Sequence, residues 1–113
     1  MHVADLDRSV RFYCDVLGLR ETTRFAFGDE QLVFLSAGGG WIELIYDGSA
    51  TGATGVVDHL ALCVDDVATM ALRLRAHDVQ LLDAAPVAVD AIGARILFCL
   101  GPDGERIELI ERR

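Results

Sequence analysis

The feature that most constrains this chain is that one pattern is written twice. Val3-Ala4-Asp5-Leu6 stands before a helix-like stretch, and Val64-Asp65-Asp66-Val67 stands before another, 61 residues further on. Near the end of each half comes the same word, Ile42-Glu43-Leu44-Ile45 and then Ile107-Glu108-Leu109-Ile110, 65 residues apart. Two matches in the same order point to duplication of one supersecondary unit. With 113 residues in all, the two copies together make one domain of ordinary size. The expected division is module 1 over about 1–47, a linker over about 48–55 and module 2 over about 56–113.

Periodicity fills in the unit. Residues 7–17 predict a helix capped by Asp7, with Val10, Tyr13, Cys14 and Leu17 on one face and Gly18 ending it. Strand-like runs follow near 24–28, 31–36 and 41–46, split by Gly28-Asp29 and by Gly38-Gly39-Gly40. A loop rich in Gly, Ser and Thr covers 47–55, and 57–64 reads as a strand. A second helix fits 66–77, opened by Asp65-Asp66, with Val67, Met70, Ala71 and Leu74 on its apolar stripe. Strand candidates near 79–83, 94–100 and 105–111 close the chain, with Pro102-Asp103-Gly104 as the last turn. The predicted fold class is α+β: two β-α-β-β-β modules.

Composition removes several functions. All 10 basic residues are arginine, so Schiff-base and lysine general-base chemistry are excluded. A net charge of −8 argues against nucleic acid and against an anionic lipid surface. No apolar run approaches the ~18 residues that cross a membrane. Met1 to Asp7 lacks the basic start and apolar stretch of a secretion signal. Cys14, Cys63 and Cys99 are odd in number, form no C-x-x-C pair and sit among apolar neighbours. They read as buried small hydrophobes in a reducing, cytoplasmic setting.

Three residues stand out as chemistry. Glu43 and Glu108 interrupt otherwise apolar strands, Glu43 sharing a face with Trp41 and Ile45. A half-buried carboxylate needs a cation, a proton or an arginine, and Arg106 shares the face of Glu108 as one such partner. His59 opens the strand of the second half on a face with Val57, Ala61 and Cys63. One imidazole with two carboxylates at matching points of a repeat suits a divalent metal: nickel, cobalt, manganese, iron or zinc. Elsewhere the plainer readings hold. His77 ends a helix, where a cation favours the dipole. Gly38-Gly39-Gly40 has no helix after it to cradle a phosphate. Ser9 has no nucleophile elbow around it. Trp41, Phe25, Phe27 and Phe34 are expected in core packing rather than lining a pocket.

Taken together, Val3-Ala4-Asp5-Leu6-Asp7-Arg8-Ser9, Phe12-Tyr13, Leu17-Gly18-Leu19, Trp41-Ile42-Glu43-Leu44, Asp58-His59-Leu60-Ala61, Gly101-Pro102-Asp103-Gly104 and Ile107-Glu108-Leu109 carry a family likeness. The chain resembles the vicinal oxygen chelate superfamily, which includes glyoxalase I, bleomycin-resistance proteins and extradiol dioxygenases. Within it the chain looks most like bacterial glyoxalase I (lactoylglutathione lyase). The resemblance implies paired modules forming a curved mixed sheet with a cleft, and a divalent metal held by Glu43, His59 and Glu108. It further implies a lyase or isomerase acting through an enediolate-type intermediate on a small substrate with adjacent oxygens, with Glu108 and then Glu43 as the bases. A homodimer is implied as well. The alternative within the same superfamily is a small-molecule binding protein of the bleomycin-resistance type, without catalysis.

Two departures mark this chain. The repeat offset puts the counterpart of His59 before Met1, so the fourth family ligand has no match, and His2 lies about 13 Å further along a strand. A start assigned too late, a shortened chain and a protein with three ligands all stay open. The places where glyoxalase I enzymes hold the glutathione carboxylates correspond here to His2 and Asp47. An Asp there repels a carboxylate, which speaks against glutathione.

Overall fold

Asp5, not Asp7, opens the first helix. In a computed structural model, which describes residues 1–52 and 55–112, the Asp5 side chain accepts from the Arg8 backbone N–H at 2.9 Å and α1 spans Leu6–Arg11. The helix then widens into a π-helical turn over Phe12–Val16. The buried stripe also differs from the expected one. Leu6, Ser9, Phe12, Tyr13 and Val16 face inward, while Val10, Cys14 and Leu17 are only half-buried. The wider turn lets the neighbours Phe12 and Tyr13 both be buried, ring edge to ring face at 5.0 Å.

The chain divides into two units, Met1–Gly52 and Ala53–Arg113. In the first, β1 (Arg20–Phe27), β2 (Glu30–Ala37) and β3 (Gly40–Tyr46) form an antiparallel sheet in that order. Ahead of α1, His2 makes an isolated parallel bridge to Ile45 of β3. In the second, β4 (His59–Cys63) leads to α2 (Val67–Ala76), then β5 (Val87–Val89), β6 (Ala94–Leu100) and β7 (Arg106–Arg112). Their order in the sheet is β4-β7-β6-β5, with β4 parallel to β7 and the other pairs antiparallel. Each unit thus runs strand or bridge, helix, three strands, and the α+β class predicted from the repeat is what the molecule shows.

Alternation decides which side chains reach the core. In the first unit Val33, Leu35 and Leu44 are fully buried on the sheet face that meets α1. In the second, Leu97, Cys99, Ile107 and Leu109 are fully buried, and α2 turns Val67, Ala71 and Leu74 toward β6 and β7. The α2 start is as expected, with Asp66 accepting from the Thr69 N–H at 2.9 Å. Glu111, reaching from β7, takes the Val67 N–H at 2.9 Å and pairs with Arg95 at 2.8 Å. Those contacts hold the Glu111 carboxyl below its ordinary range.

Three expectations are corrected. The segment near 79–83 is not a strand: it runs beside β6 through an isolated Leu81–Cys99 bridge, and the strand lies later, at β5. Cys63 is exposed rather than buried, on the open face of β4, whereas Cys99 is buried and its thiol pushed up to about 11 by desolvation. Trp41, Phe27 and Phe25 are 70%, 72% and 38% exposed, so they are not core. Among the described residues no helix is long and apolar enough to cross a membrane.

Leu97 lies at the centre of the second core, and truncating it leaves a cavity that rigid strands cannot close. Leu97→Ala is expected to cost about 2–5 kcal/mol in denaturant-induced unfolding, with an unchanged m-value.

Candidate functional site

The open face of each sheet, opposite its core, carries the polar residues. In the second unit, His59 is registered against Arg106 and Ala61 against Glu108. On the far side of β7, Phe98 of β6 is registered against Glu108. Registered partners share a face, so His59, Phe98, Arg106 and Glu108 come together. His59 Nε2 stands 3.1 Å from Glu108 Oε2, with the two side chains 32% and 16% exposed. Two of the three predicted ligands therefore meet.

The other nitrogen of His59 is also engaged. Nδ1 lies 2.8 Å from Asp58 Oδ2, and Arg106 Nη1 donates to that same oxygen at 2.8 Å. Arg106 therefore goes to Asp58, where a pairing with Glu108 was one expectation. Its guanidinium lies 4.9 Å from the Phe98 ring centre, and that ring meets the imidazole edge-on at 5.2 Å. A carboxylate only accepts, so the protonated ring satisfies both contacts at once, whereas the neutral ring can donate to only one of them. The Asp58 hydrogen bond first, and Glu108 after it, raise the His59 pKa against the opposing effect of desolvation. The bond from His59 in turn holds Asp58 below the ordinary carboxylate range, helped by Arg106.

In the first unit, Glu43 occupies the equivalent place on β3. It is half-buried and registered against Phe34 as Glu108 is against Phe98. Beside it runs a line of rings: Phe25 stacks on Phe34 at 5.8 Å, and Phe34 meets Trp41 at 5.4 Å. His2 is bridged to Ile45, whereas Cys63 is registered against Ile110, so His2 corresponds to Cys63 and not to His59. Its Nδ1 lies 3.3 Å from Asp47 and 3.2 Å from Ser49 Oγ. Asp47 is held below its usual range, by hydrogen bonds from Ser49 first and from His2 after them. Among the described residues no group of three or more His, Cys, Asp or Glu is arranged so that it could hold a metal ion. The second unit thus brings His59 and Glu108 together as a pair, and Glu43 stands in the other unit.

The pair fits a metal ion as far as two donors can. Ligand atoms ~2.1 Å from one ion and at right angles to each other stand ~3 Å apart, as Nε2 and Oε2 do. Asp58 on Nδ1 is the outer carboxylate that metal-bound imidazoles ordinarily have. Sequence reasoning missed Asp58, Arg106 and Phe98 as a group. Adjacent strand residues point apart, but Asp58 precedes the first residue of β4 and is outside that rule. Phe98 was legible in principle, since it repeats Phe34 in the same frame as the glutamates.

A repeated β-α-β-β-β unit with a His–Glu pair on the open sheet face is the frame in which the comparisons with known proteins fall. Residues 1–109 match the Glyoxalase/Bleomycin resistance protein/Dioxygenase superfamily. The chain belongs to that family. It is 34% identical to the lactoylglutathione lyase of Haemophilus influenzae over 128 residues, covering 100% of this chain and 89% of the relative. It is also 34% identical to the uncharacterized protein YwbC of Bacillus subtilis, covering 97% and 91%. In three dimensions it is similar to the trypanothione-dependent glyoxalase I of Leishmania major, with TM-score 0.80, 29% identity, and 98% and 81% of the two chains covered. The likeness to glyoxalase I read from the motifs is borne out.

The sign of the His59 contacts is testable. A raised imidazole pKa stabilises the fold fully below the unfolded value, and that contribution fades as pH rises through the folded one. Glu108→Gln removes one of the two carboxylates responsible. Titration followed by NMR is expected to show a lower His59 pKa in this variant than in the parent protein; an equal value would mean that the contact is absent in solution.

Proposed function

We propose that this protein is a metal-dependent lyase or isomerase of the glyoxalase I type, acting on a small substrate with adjacent oxygens. The observation that carries the reading is the His59–Glu108 pair, 3.1 Å apart on neighbouring strands of a chain from this family. His59 Nε2 and Glu108 would hold the ion. Glu43, at the equivalent position of the other repeat, is the further ligand that the family likeness suggests. When bound, a divalent cation such as nickel, zinc, cobalt, manganese or iron acts as a Lewis acid on the substrate oxygens.

The chain's own residues do the rest. Glu108 has two carboxylate oxygens, and Oε2 faces His59. Oε1 takes the proton from one carbon and returns it to its neighbour. Phe98 lies opposite Glu108 on the neighbouring strand. Glu43 serves as the second base. Asp47, held ionised by Ser49, disfavours a carrier that brings its own carboxylates to that loop.

The assay follows directly. Metal-stripped protein reloaded with nickel or zinc is expected to convert the adduct of methylglyoxal with a thiol. Glutathione and a thiol without carboxylates are compared as carriers. Glu108→Gln is expected to lower kcat roughly 100- to 10,000-fold. No turnover on either adduct with any of the five metals would overturn the enzymatic reading. One observation favours the binding-protein alternative: the ring series Phe25, Phe34, Trp41 beside Glu43 suits a flat cationic ligand. Failure to take up metal, with tight binding of bleomycin by calorimetry, would decide for that reading.

A further inference from the structure

We propose that Asp58 is a positioning residue that sets the tautomer of His59, taking the Nδ1 hydrogen and leaving the Nε2 lone pair to face Glu108. The use of that lone pair for a cation rests on the metal reading above; the placement of the hydrogen does not. A neutral imidazole carries one N–H, and His59 has a carboxylate at each nitrogen, Asp58 at 2.8 Å and Glu108 at 3.1 Å. If Glu108 took the hydrogen, Nε2 could bind nothing else. The contact to Asp58 is the shorter, and it is the one the surroundings hold in place.

Four side chains close a ring that immobilises this contact. Asp58 Oδ2 accepts from both His59 and Arg106, each at 2.8 Å. Arg106 lies over Phe98 at 4.9 Å, and Phe98 meets the His59 ring edge-on at 5.2 Å and 83°. The strand register supports the arrangement, because Arg106 is opposite His59 across the parallel pair. Each member therefore touches two others, and none can rotate without breaking two contacts. The first unit shows which part is specific. There the ring contact is kept, with Trp41 against Phe34 at 5.4 Å, but an indole stands where the second unit has a guanidinium. Aromatic packing is thus common scaffolding of the repeat. The cation accompanies the carboxylate that it anchors.

The test uses the whole chain and two readouts. In metal-free protein in alkaline buffer, with the ring neutral, nitrogen-15 NMR reports which nitrogen of His59 carries the hydrogen. The parent protein is expected to show the Nδ1–H form, and Asp58→Ala to move the ring to the Nε2–H form. Asp58 is exposed and outside the core, so this variant keeps the fold. Calorimetry with zinc or nickel alone is expected to show ~10- to 100-fold weaker binding for Asp58→Ala. An unchanged tautomer in Asp58→Ala overturns the proposal whatever the metal does. A parent protein that binds neither ion overturns the metal reading instead, while a tautomer shift in the same samples still supports the role of Asp58.

Discussion

The parallel pairing of β4 with β7 is the constraint on which the site depends. It sets His59 opposite Arg106 and Ala61 opposite Glu108, with the alternate residues Ile107 and Leu109 fully buried. Side chains change face at every residue, so a slip of one position would drive Glu108 into the core and expose two large aliphatic groups. Burying an unpaired carboxylate and uncovering that apolar area are both costly. The core thus enforces the register, and the register places the polar groups. No loop is needed to bring His59 and Glu108 together; two strands and a buried face suffice.

The same frame recurs in the first unit. The Val3 N–H donates to the Ile45 carbonyl at 2.9 Å, and the Val64 N–H donates to the Ile110 carbonyl at 2.9 Å, the same rung in each repeat. From that rung the equivalences count outward: Glu43 with Glu108, Phe34 with Phe98, Trp41 with Arg106. What differs between the copies is electrostatic. One open face carries a row of rings beside its carboxylate, the other an imidazole and a guanidinium. The repeat thus presents one surface twice, and the second copy carries charged partners where the first carries rings.

Much of this was legible in the letters, for a stated reason in each case. The repeat and the two glutamates follow from strings that survive intact, and strands β2, β3, β6 and β7 follow from dense apolar runs. The first helix was misjudged at its cap because Asp5 and Asp7 are both good caps, and only the direction of the incoming chain chooses between them. The strand expected near 79–83 has the apolar residues for one. It stops at a single bridge, and β6 completes its pairing with β5 further along. Exposed Trp41 and Cys63 escaped because composition cannot say which face of a sheet a helix will cover. Asp58 escaped because its role comes from a partner 48 residues away, Arg106.

The exposure of these groups argues about purpose as well as geometry. Ion pairs as open to water as Arg106–Asp58 contribute little to stability, because solvent screens them and ordering long side chains opposes them. An apolar residue in place of Glu108 or His59 would extend the Leu, Ile and Phe surface of the same strands without a desolvation cost. Folding alone therefore gives no reason to keep a carboxylate and an imidazole at 3.1 Å on this face. The metal reading proposed above supplies such a reason. A cation held there would take the place of the proton between Nε2 and Oε2 and leave the Nδ1 hydrogen directed at Asp58.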